Sequence, residues 1–148
     1  MKTESLSSLL GPSKFSKEGF LGTDVRSPEE IIKADRETLA GLGLDNKKIA
    51  GAMRGGYVAA ERALGNPVEI APGVIAVHHE ARGRIPSPFT EDGTFQKGEA
   101  VVSEKSSSVS FCITPLSISL IEKHGFFQGK GSPYRIEPDA AARVLRLS

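Results

Sequence analysis

The chain has 148 residues, enough for one domain with its own core, and 39% of them are hydrophobic. Nineteen Lys and Arg against eighteen Asp and Glu leave a formal net charge of +1, which argues against a dedicated nucleic-acid binder. A single cysteine, Cys112, excludes an intrachain disulfide, and no apolar run approaches the roughly 20 residues of a membrane span. Residues 1–21 lack the continuous apolar stretch of a signal peptide, so a cytoplasmic protein is expected, with neither membrane nor nucleic acid among its partners.

Residues 1–19 are polar and rich in serine and lysine. They are expected to form a loosely ordered segment ahead of a single α+β domain over 20–148. Phe20, Leu21 and Val25 then offer apolar anchors. The first helix announces itself by Ser27, Pro28 and Glu30, a capping box whose proline stands where no amide bond is needed. Ile31, Ile32, Leu39 and Leu42 follow at helical spacing, and Gly41 or Gly43 ends the run. Asp35 falls among these apolar positions, so its carboxylate needs a cationic or hydrogen-bonding partner; Arg26 and Arg54 are the candidates.

Asp45 opens a second helix with Ile49, Ala52, Met53, Gly56, Ala60, Ala63 and Leu64 along one stripe. Gly51, Gly55 and Gly56 inside it imply a closely approaching neighbour or a break near Gly55-Gly56. Helical period gives way to alternation after Gly65-Asn66-Pro67. Val68 and Ile70 form one short strand, and a long strand is expected from Val74 to about Arg84, with His78 and His79 on opposite faces. Pro86 and Pro88 stop it, and Glu91-Asp92-Gly93-Thr94 reverses the chain. Strands over 99–105 and 109–113 complete an antiparallel meander of three to four strands packed against the N-terminal helical pair. Two short helices close the chain. The first starts at Thr114-Pro115 and buries Leu116, Leu120 and Ile121, with Ser117 and Ser119 outward; Gly125 caps it. The second opens at Pro138-Asp139 and presents Arg143 and Arg146 to solvent.

Between these helices lies the richest stretch for chemistry, 124–135. Phe126 and Phe127 read as core anchors. The amides of Gly129, Gly131 and Ser132, with Lys130 and Arg135, could converge on a phosphate or carboxylate. The order of residues departs from the phosphate-loop pattern G-x-x-x-x-G-K-[ST], and Pro133 removes a donor. Arg82 and Arg84 supply two further cations, which would line the same cleft if the 82–89 and 125–135 loops meet. A small anionic molecule is therefore the first expected partner. A structural or protein-interaction module, forming a homo-oligomer, is the alternative. An enzyme is the third reading, with Cys112, His79, His124 and Asp35 as the catalytic candidates: a thiol and two imidazoles for nucleophilic or acid–base chemistry, and a carboxylate among apolar neighbours. No C-x-x-C or H-E-x-x-H pair is present, so neither a metal nor a cofactor is expected.

Overall fold

The computed structural model describes residues 20–147, so the segment 1–19, expected to be loosely ordered, lies outside the described residues. The fold is α+β: a four-stranded antiparallel sheet, an N-terminal helix pair and two short C-terminal helices. Helix α1 spans Pro28–Gly41 and α2 spans Asn46–Arg62. Ser27 Oγ accepts from the Glu30 amide while the Glu30 carboxylate accepts from the Ser27 amide, which closes the capping box. Gly43, at φ 73°, turns the chain, and the Leu44 amide reaches back to the Leu39 carbonyl. Asp45 then caps α2 by accepting from the Lys48 amide. Helix α2 runs unbroken through its glycines. Gly56 lies close to the Ile70 side chain, whereas Gly51 and Gly55 face open space.

Strands β1 (Val68–Ala71), β2 (Val74–His79), β5 (Glu99–Glu104) and β6 (Ser110–Ile113) make the sheet in the order β1-β2-β5-β6. Val74, Ala76, Ala100, Val102 and Ile113 share its inner face and pack on Ile49, Met53 and Ala60 of α2. The long strand expected to reach Arg84 stops at His79, the last residue of β2 paired with β5. Beyond it the chain turns at Gly83 (φ 93°) and starts a separate hairpin of β3 (Arg84–Pro86) and β4 (Thr94–Gln96), joined through a 3-10 turn at Thr90–Asp92. Pro86 fits there because β3 pairs on one side only. Arg82 consequently sits in the connection and not on a strand face.

Helix α3 (Pro115–His124) separates two apolar clusters. Leu116 and Leu120 pack with Phe20, Ile31, Phe89 and Phe126, while Ile118 and Ile121 belong to the cluster under the sheet. Core on both sides leaves this helix only a narrow solvent strip, at Glu122 and Lys123. Ser117 and Ser119 are therefore buried, contrary to expectation, and Ser117 completes a capping box with Thr114. Gly125, at φ 67°, ends α3 as expected, and Phe126 and Phe127 are buried. Helix α4 (Pro138–Val144) adds Ala141, Ala142 and Val144 to the larger cluster. Arg143 and Arg146 converge on Glu104, and with the Ser107 hydroxyl they hold its carboxyl down at about 2. Val25, expected to be an anchor, is 99% exposed; its neighbours Asp24 and Arg26 pair with each other and turn it to solvent.

The open surroundings of Gly51 and Gly55 carry a consequence for stability. Replacing either with alanine removes the helix penalty of glycine without a clash, so Gly51→Ala and Gly55→Ala should each stabilise the fold by about 1 kcal/mol. Gly56→Ala should gain less, because Ile70 must move. Urea denaturation of the three variants checks the order, and equal effects at all three positions would contradict it.

Candidate functional site

The stretch 128–135 is organised by its contacts with 20–26. Gly129 and Gly131 leave no room for a Cβ, which would overlap the Leu21 carbonyl oxygen at one and the Thr23 hydroxyl at the other. The Gly129 amide donates to the Phe20 carbonyl, the Lys130 amide to the Asp24 carboxylate at 3.1 Å, and the Ser132 amide to the Gly129 carbonyl. Asp24 thus supplies an anion from within the chain. The Arg26 guanidinium beside it holds its carboxyl well below the usual carboxylate range, against the opposing effect of burial. Lys130 Nζ lies 3.4 Å from Glu137, and the Ser132 hydroxyl donates to Gln128.

Arg135 is engaged throughout. Its Nη1 and Nη2 form a bidentate pair with Asp35 at 2.6 and 3.0 Å, Nη1 also reaches the Gln128 carbonyl, and Nε and Nη2 bind Glu137. All five of its N–H donors have partners. Burial opposes its charge, but these carboxylates outweigh that and raise its pKa. The partner of Asp35 is therefore Arg135, not Arg26 or Arg54. Arg26 binds Asp24, and Arg54 binds Glu122.

The four residues considered for catalysis have different partners. Cys112 and His79 share the outer sheet face, where Glu99 stands opposite His79 and 3.9 Å from the Cys112 thiol. Burial and the Glu99 carboxylate push that thiol up to about 11, the wrong direction for a nucleophile. His124 Nε2 lies 2.8 Å from Asp92, and its ring stacks on Phe89 with centroids 3.6 Å apart. Glu91, Asp92 and His124 offer ligand atoms within 4.8 Å of one another, but Lys123 also approaches Asp92 at 3.9 Å, and the group reads as a link between α3 and the hairpin. Asp35 lies under Arg135. No hydrogen bond joins any two of these four among the described residues.

Arg82 and Arg84 do reach a common site. They line a cavity of about 520 Å³ where the β3–β4 hairpin leaves the sheet, together with Tyr57 and Glu61 of α2, His78, Glu80 and Gly98. Alternation along β2 points His78 inward behind Val74 and Ala76. The helical stripe of α2 brings Tyr57 to it, one turn beyond Met53. His78 Nε2 and Tyr57 Oη are 3.0 Å apart, with the rings edge to face and both residues buried. Gly98 lies against this pair, because a Cβ there would stand 2.7 Å from Tyr57 Oη. Burial, reinforced by Glu61 and Glu80, raises the Tyr57 pKa, so the phenol keeps its proton at neutral pH. Arg84 is fixed by two 2.8 Å bonds to Thr94 through Nε and Nη2. Glu61, Glu80 and Arg82 make no ion pair among the described residues.

A neighbouring cavity of about 430 Å³ is lined by Ala81 and Ile85 from one side and by Gln128, Pro133 and Tyr134 from the other, without Arg82 or Arg84. Lys130 and Arg135 are not among its lining residues. The Tyr134 hydroxyl donates to Glu99 at 3.0 Å; burial and that carboxylate push it up to about 12.

Sequence reasoning missed the His78–Tyr57 pair. Alternation does turn His78 away from His79, and the α2 stripe passes through position 57, so the signal was the coincidence of two periods. Comparison with protein-family models, curated proteins and solved structures gives no match for this chain.

Two measurements probe these assignments. Arg135→Met leaves a buried carboxylate unpaired and should cost about 3–5 kcal/mol in chemical denaturation, while the double change Asp35→Leu, Arg135→Met recovers a large part. A loss below about 1 kcal/mol for the single variant would show the pair to be dispensable. The raised Cys112 pKa implies alkylation by iodoacetamide at pH 7 more than tenfold slower than for a free cysteine, with the rate still climbing above pH 9. A plateau below pH 8 would contradict it.

Proposed function

We propose that the protein binds a small anionic molecule in the 520 Å³ cavity. The observation that carries this reading is the buried, hydrogen-bonded His78–Tyr57 pair beneath a mouth bearing Arg82 and Arg84. Buried polar side chains opening on a concave surface are the usual fixed contacts of a ligand site. The phenol keeps its proton, and where His78 Nε2–H donates to the phenol oxygen that proton is left free for a ligand. Arg82 has no partner to give up among the described residues, and Arg84 retains Nη1. The Glu61 and Glu80 carboxylates at the same mouth balance the two guanidiniums, so a singly charged carboxylate fits this field better than a multiply charged phosphate.

No helix is long and apolar enough to cross a membrane, as judged from the described residues. An anionic group loses hydration on entering this cavity. A hydrogen bond to a charged group contributes about 1.5–3 kcal/mol, so losing Arg82 should weaken binding at least tenfold.

Titration with acetate, lactate, inorganic phosphate and glycerol phosphate, followed by backbone amide shifts, tests the reading. Carboxylates should move the Gly83 and Gly98 amides more than phosphates do, and Arg82→Ala should raise the Kd about tenfold or more. Unmoved amides at both glycines across the panel would overturn it.

A further inference from the structure

The polar cavity is not isolated. Ala81 and Gln96 line both it and the 430 Å³ cavity, so the two meet across the start of the connection and the end of β4. Their chemistries differ. The first has His78, Tyr57, two guanidiniums and two carboxylates. The second has mainly apolar walls from Phe20, Ile85, Leu116, Pro133 and the ring of Tyr134, with Lys97 and Glu99 as its charged lining residues. Tyr134 is also one of the large hydrophobic residues left exposed, at 38%.

The apolar walls are held in place. Phe20 belongs to the cluster of Ile31, Phe89 and Phe126, and its carbonyl accepts from the Gly129 amide. Tyr134 is fixed through Glu99. Gln128 keeps a left-handed backbone at φ 69°, and its side chain and carbonyl are bound by Ser132 and Arg135. Such fixed walls do not close on themselves when empty, and apolar surface left open to water gains free energy when covered.

We propose that the ligand is amphiphilic: a monoanionic head in the His78–Tyr57 cavity and an apolar alkyl or aryl body that passes Ala81 and Gln96 into the cavity against Tyr134. This rests on the anion-binding reading of the first cavity and adds the class of molecule. The head meets Arg82, Arg84 and the phenol, and the body meets Phe20, Ile85 and Leu116. An alkyl or aryl carboxylate has both parts, whereas a sugar phosphate lacks the second.

A chain-length series of straight carboxylates, from acetate through hexanoate to decanoate, used below micelle-forming concentrations, tests this with amide shifts from the full chain. Each added methylene buried in the second cavity should tighten binding about three- to fourfold. The longer members should move Gln128 and Tyr134 as well as Gly83 and Gly98. If the short acids move Gly83 and Gly98 but longer ones bind no more tightly, or leave Gln128 and Tyr134 unmoved, the amphiphilic ligand is ruled out and the anion site stands. Decanoate moving Gln128 and Tyr134 alone also overturns the proposal, because the head is then not in the polar cavity. No shift at Gly83 and Gly98 with any acid removes both readings.

Discussion

The bidentate pair between Arg135 and Asp35 is the constraint on which the arrangement of this protein depends. It joins α1 to the stretch after α3 across 100 positions of sequence, with both side chains almost wholly buried. Removing two charges from water costs several kcal/mol per ion, and that cost is offset only where geometry and further hydrogen bonds are good. Here the Gln128 carbonyl and the Glu137 carboxylate complete the guanidinium. The same side chain therefore fixes α1, the left-handed residue at 128 and the residue that precedes α4. Its place in the middle of this network is what withdraws it from ligand chemistry.

That withdrawal separates the cations of the molecule into two populations. Arg26, Arg54, Arg135, Arg143 and Arg146 each hold a carboxylate of the chain. Arg82 and Arg84, like Arg36 and Arg62, pair with no carboxylate among the described residues, and Arg82 and Arg84 stand where the sheet releases its hairpin above a buried imidazole and phenol. Burial acts on both phenols in the same direction, so Tyr57 and Tyr134 each remain donors at neutral pH. The polar and apolar cavities thus differ in walls and charge, and both are lined by Gln96.

Local signals in the sequence translated directly into structure. Ser27-Pro28-Glu30 and Thr114-Pro115 start helices because capping geometry needs only neighbours three residues apart, and Gly125 ends one because its backbone adopts the left-handed form. The two N-terminal helices and the antiparallel sheet follow from periods that can be read in order. Misplaced features share a nonlocal cause. Ser117 and Ser119 are buried because a second apolar cluster, with Phe20 and Phe89, covers the far side of α3. The strand after Val74 ends at His79 because β5 begins at Glu99, which no pattern within 74–84 states. The partner of Asp35 is too remote for a helical wheel to nominate. The same holds for the site: Arg82 and Arg84 were legible as unusual, and their companions Tyr57, Glu61 and Gly98 come from elements that only the packed sheet brings together.

Segment 20–26 and segment 128–137 form a seam whose hydrogen bonds span 107 and 106 positions, at Thr23 and Asp24, and Asp35 of α1 adds one spanning 100 to Arg135. The sheet, by contrast, pairs β1 with β2 and β5 with β6 directly, and β2 with β5 around the β3–β4 hairpin. Closing a chain over such distances carries more entropy than closing a hairpin, although the cost grows only with the logarithm of loop length. Phe20 on one side of the seam and Gln128, Pro133 and Tyr134 on the other are also walls of the apolar cavity. The molecule therefore makes that cavity out of its most distant contacts, and the cavity exists only once the chain has closed into a ring.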